Sequence, residues 1–133
     1  MASELKVDKF TGVTTAGSID VTGEGNSTTT NLQQGLCKAW FKFNQDTPAV
    51  SDSFNTSSVN DDATGVHNGA FTSAMSNANY ANSCMKQAEA TNADCTEYTT
   101  GVNSTLLVKR NDIENGSPRD AANTNTLTFG DLA

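Results

Sequence analysis

The run Cys37-Lys38-Ala39-Trp40-Phe41-Lys42-Phe43 carries the clearest period in the chain. Cys37, Ala39, Phe41 and Phe43 fall on one side of a pleated strand, and Lys38, Trp40 and Lys42 fall on the other. A helix would scatter the lysines around its axis without a clean apolar stripe. The face of Ala39, Phe41 and Phe43 is therefore expected to be core. Trp40 shares its face with two lysines, so it lies either under a loop of its own chain, with 86–94 as the candidate, or against a neighbouring subunit, where large aromatics are enriched.

Other extended segments follow at roughly ten-residue spacing with turns between them, the pattern of a sandwich or small barrel. Asn44-Gln45-Asp46-Thr47-Pro48 reads as a turn. Ser53-Phe54-Asn55-Thr56-Ser57-Ser58-Val59 reads as a second strand, although Phe54 and Val59 have opposite parity and need a bulge or bend between them. Residues 60–65 read as a turn, and Val66 to Phe71 as a third strand completing a hairpin. Phe71, Ala74, Met75 and Ala78 fit one stripe of a short helix. Tyr80 to Met85 can be extended, and Lys86 to Asp94 is polar and loop-like. Thr105-Leu106-Leu107-Val108-Lys109 is another strong strand, Asn115-Gly116 a tight turn, and Thr126-Leu127-Thr128-Phe129 the last strand. The expected fold is all-β, a small antiparallel sandwich or barrel-like domain with an extended N-terminal arm and at most one short helix. Its core candidates are Ala39, Phe41, Phe43, Phe54, Phe71, Leu107 and Phe129.

Residues 1–35 are rich in Thr and Gly, with the short alternating pieces Leu5-Lys6-Val7 and Ile19-Asp20-Val21 between glycine turns. Such a segment can add strands to a partner but cannot build a core. The expected division is a docking arm over 1–35 and an oligomerising β-domain over 36–133. Composition points the same way: of 133 residues only 35% are hydrophobic, against roughly 45–50% in ordinary globular domains. A short chain with so little to bury usually gains the rest from partner subunits, a metal or disulfides.

A net charge of −7 repels a phosphate backbone, and Lys and Arg are scattered, so nucleic acid is not an expected partner. No apolar run approaches the roughly 18 residues of a membrane span. The start Met1-Ala2-Ser3-Glu4-Leu5-Lys6 lacks the apolar stretch of a signal peptide, and the expectation is a soluble chain made in a cytoplasm. Cys37, Cys84 and Cys95 are read as thiols, with a Cys84–Cys95 bridge as the minority alternative.

No catalytic constellation stands out. His67 is the only histidine and no GxSxG motif accompanies it. Asn60-Asp61-Asp62 could offer oxygens to a hard cation, but lacks the spacing and closing glutamate of a calcium loop, so turn chemistry explains it better. Two carboxylates alone do not make a glycosidase, and the Asn-x-Ser/Thr triplets at 26, 55 and 103 mean little without a secretory route. No catalytic residue, cofactor or metal is expected. A carbohydrate-binding module is weakly supported, since one Trp and two Tyr make a poor stacking platform.

The string 35–43, Gly35-Leu36-Cys37-Lys38-Ala39-Trp40-Phe41-Lys42-Phe43, followed by Asp52 to Val59, Gly65 and Phe71-Thr72-Ser73-Ala74-Met75-Ser76-Asn77-Ala78-Asn79-Tyr80, resembles a β-rich structural module of virion proteins of marine tailed phages. Asn115-Gly116, Asp120 and Phe129-Gly130-Asp131 resemble its closing hairpin and last strand. Leu5-Lys6-Val7-Asp8, Thr15 to Ile19 and Asn31 to Gly35 are similar to its start segments. Residues 81–101 depart from the pattern. The resemblance implies a non-enzymatic protein of the virion surface, a capsid decoration (cement) or short head-fibre subunit, with a tail fibre or receptor-binding tip as the competing placement. It also implies a homotrimer contacting other virion proteins, assembled in the host bacterial cytoplasm.

Overall fold

The structure, a computed structural model, describes residues 4–13, 19–23, 28–86, 95–101, 105–113 and 118–133, without the side chains of Lys86, 95–101 and 106–113. Of the expected loop at 86–94, Lys86 belongs to a strand and 87–94 lie outside this description, as do the Asn115-Gly116 turn and the side chains of Leu107 and Cys95. The described residues form ten strands and one four-residue helix. Every strand pairing is antiparallel. The chain is all-β. Contacts divide it into two units, Met1–Leu36 and Cys37–Ala133.

The first unit holds one short ribbon, β1 (Asp20–Thr22) against β2 (Thr29–Asn31), and the single turn α1 (Leu32–Gly35). Asn31 caps that turn, its Oδ1 accepting from the Gln34 N–H at 3.1 Å. Leu5-Lys6-Val7 forms no strand, and none of the unit's described residues is buried.

The second unit contains two four-stranded sheets. One has the order β4 (Ala49–Phe54), β3 (Cys37–Asn44), β10 (Thr124–Phe129), β7 (Ala81–Lys86). The other has the order β5 (Thr56–Ala63), β6 (Val66–Phe71), β9 (Leu106–Ile113), β8 (Cys95–Gly101). Their inner faces meet: the Phe41 and Phe43 rings of β3 lie 6.0 and 5.3 Å, centroid to centroid, from the His67 ring of β6. Ala39, Phe41, Phe43, Phe71, Met75 and Tyr80 form the apolar cluster, with Val59 packed against it. The Phe71 and Tyr80 rings meet edge-on at 5.5 Å, and burial there pushes the Tyr80 hydroxyl pKa above its ordinary value.

Four expectations require correction. The segment 53–59 is not one strand: Asn55 takes a left-handed φ of 52° and carries the chain from the first sheet into the second. That conformation is held from several sides. Asn55 Nδ2 donates to the Lys38 and Ser73 carbonyls at 3.0 and 3.1 Å, and its Oδ1 accepts the Ser73 N–H at 2.7 Å. The parity conflict of Phe54 and Val59 is thereby resolved with Phe54 outward and 54% exposed; it is not core. Second, residues 60–63 belong to β5 rather than to a turn, which narrows to Thr64 and Gly65. Gly65, at φ 71°, donates its N–H to Asp120 Oδ1 at 2.7 Å.

Third, the stripe from Phe71 to Ala78 is not helical. Met75 bridges antiparallel to Leu132, and Ser76 N–H donates to the Asp131 carbonyl at 2.8 Å. The Asn77 side chain accepts the Asn79 N–H, a local bond that competes with helix. Phe71 and Met75 are buried without a helix to align them. Fourth, Phe129 is only half-buried. Strand β10 pairs Thr124, Thr126 and Thr128 with the inward Phe43, Phe41 and Ala39, so the threonines take the inner face. Thr124 Oγ1 donates to the Phe43 carbonyl at 3.1 Å, Thr128 Oγ1 to Asn82 Oδ1 at 2.9 Å, and Thr126 Oγ1 lies 3.6 Å from Cys84 Sγ. Satisfied hydroxyls are what allow such a face to be buried.

Candidate functional site

On the outer face of the second sheet, the side chains of β5 and β6 are described. On the second sheet, the register places Ser58 beside Ala70 and Asn60 beside Asn68 on the outward side. There Asn60 Nδ2 donates to Asn68 Oδ1 at 3.1 Å, and Asn68 Nδ2 donates to both oxygens of Asp62 at 2.8 and 2.7 Å. This is a solvent-facing polar ladder.

The first sheet turns large apolar side chains outward. Because Ala39, Phe41 and Phe43 point inward, Trp40 and Lys42 point outward, and the register extends that row across three neighbours: Phe54 on β4, Trp40 on β3, Leu127 and then Ser83 on β10 and β7. The next row reads Asp52, Lys42, Asn125 and Met85. Trp40 and Leu127 are half-buried, while Phe54 and Met85 are 54% and 60% exposed. Lys38, which the strand alternation places on the face of Trp40, is buried. Lys42 and Asp52 are exposed cross-strand neighbours that form no ion pair within the described part of the chain. Large apolar side chains grouped on the outer face of a sheet are the pattern of a contact surface.

The remaining candidates have structural surroundings. His67 has no solvent-accessible surface and packs against Phe41 and Phe43. Asp61 Oδ1 accepts from the buried Gln45 side chain at 3.0 Å, which also donates to the Ala63 carbonyl, tying the end of β5 to the turn after β3. Among the described residues no three His, Cys, Asp or Glu side chains gather as a metal site, and no helix is long and apolar enough to cross a membrane.

In the first unit, Leu5, Phe10 and Val13 are 75%, 62% and 93% exposed, and Val7 is 47% exposed. They are unburied apolar residues on a segment without a core.

The chain matches no protein-family model, no curated protein and no solved structure. Among the described residues, the arm and the Trp40 face are the candidates for function. Sequence reasoning found Trp40 but not Phe54, Leu127 or Met85. The parity clash between Phe54 and Val59 was the available signal for Phe54; Leu127 and Met85 needed the strand pairing.

Proposed function

We propose that this chain is a structural subunit of a tailed-phage virion surface, a capsid decoration or short head fibre that docks through residues 1–35. The observation that carries the reading is the arm. Over 4–13 it exposes four large apolar residues and buries none, a costly arrangement in water that a partner surface relieves. An ordering segment of this kind gains its structure from what it binds. The resemblance of the 35–43 and 71–80 strings supplies the virion setting, and the Asn60–Asn68–Asp62 ladder on β5 and β6 suits a surface that faces solvent. The low apolar content favours a homo-oligomer.

Deleting residues 2–30 tests this. The expected product is a soluble, cooperatively melting β-body that no longer joins particles. Recovery of the truncated chain on virions at normal occupancy would overturn the reading. Antibody labelling of intact particles separates capsid from tail, and label confined to the tail would transfer the subunit to a tail fibre or receptor-binding tip.

A further inference from the structure

We propose that a second copy of this chain covers the β3–β4 half of the Trp40 face, about a two-fold axis running along the strands between β3 and β4. This rests on the homo-oligomer reading and adds its surface, partner and symmetry. The first reason is that the two halves of the β3–β4 pair are complementary to each other. In one row Asp52 stands beside Lys42, and in the next Phe54 stands beside Trp40. Turning a copy about that axis lays β4 over β3 of the other copy and keeps the rows aligned. Asp52 of each copy then meets Lys42 of the other, and Phe54 meets Trp40, twice over. An interface that uses one patch on both subunits requires this self-complementarity.

The second reason is that both charges are available. Neither is neutralised within the described part of the chain, although they face each other across two hydrogen-bonded strands. A charge pair at the rim of an aromatic contact sets register and excludes wrong partners. The third is that aligned sheet-on-sheet packing is a regular way to cover an apolar sheet face. A two-fold contact builds a dimer, not the trimer that the phage-module resemblance implies.

The test uses the full chain and charge reversal in separate copies. Light scattering over a concentration series should give twice the 14.0 kDa chain mass for the wild type. Asp52→Lys and Lys42→Asp should each weaken self-association by about tenfold or more, because each places like charges opposite one another twice. An equimolar mixture of the two variants should recover the dimer, since every cross-copy pair is then attractive. Both sites are exposed, and a melting temperature near wild type confirms that the variants fold. Trp40→Ala should weaken the dimer while the subunit stays folded. A monomeric wild type at every concentration overturns the proposal together with the homo-oligomer reading. A trimeric mass overturns the two-fold contact and leaves that reading standing. A mixture no more associated than its components overturns the Asp52–Lys42 pairing. Trp40-dependent binding to a glycan array by a monomeric chain would give the face to carbohydrate instead.

Discussion

Gly69 lies so close to Phe41 that a Cβ built on it would stand 2.7 Å from Cε1 of the ring. The two residues belong to facing sheets, so the absent side chain sets how closely β6 approaches β3. Gly69→Ala should therefore destabilise the body by about 1–3 kcal/mol through overpacking. Phe41→Ala, which empties the buried side of the same contact, should cost about 3–5 kcal/mol. Combining Gly69→Ala with Phe41→Leu should cost less than the sum of the two single changes, the mark of a shared contact. Additive denaturation midpoints would show that the glycine is tolerant for another reason.

Asn55 does two separable things. It accepts a left-handed backbone, and its amide bonds the Lys38 and Ser73 backbones. Asn55→Ala removes both and should cost about 2–4 kcal/mol. Asn55→Gly removes only the hydrogen bonds and should be more stable than the alanine variant by about 1 kcal/mol. Equal stabilities in urea would mean that the φ of 52° carries no strain.

The threonine face of β10 is held by its hydroxyls. Thr124 has no exposed surface and donates to the Phe43 carbonyl. Thr124→Val keeps the shape and removes the donor, and should lower stability by about 1 kcal/mol. A thermal midpoint that rises would show that apolar burial outweighs that bond.

Tyr80 gives a pH test. Its hydroxyl pKa is raised by burial above the ordinary 10.0, so the folded state holds the proton more tightly than the unfolded state does. The associated stability is fully present below about pH 10 and is lost as pH rises through the folded-state value. Between about pH 9 and 11, wild type should lose stability more steeply than Tyr80→Phe. Parallel curves would assign the alkaline loss to other groups.

Local pattern alone determined the inward face of β3. Ala39, Phe41 and Phe43 alternate with polar or bulky neighbours over several residues, and that periodicity needs no partner to be legible. The hairpin around Thr64 and Gly65 and the β character of the chain were legible for the same reason. Tertiary structure decided the rest. Whether Phe54 points in or out depends on where Asn55 hands the chain to the other sheet, a bend stabilised by Lys38 and Ser73, distant in sequence. Whether β10 buries Leu127 and Phe129 or its threonines depends on a register set by β3, about eighty residues earlier, because a one-residue slip turns every side chain of a strand over. The Trp40 face follows from the same pairing. Trp40 was visible in its own strand, but Phe54, Leu127 and Met85 join it only when three other strands are laid beside β3.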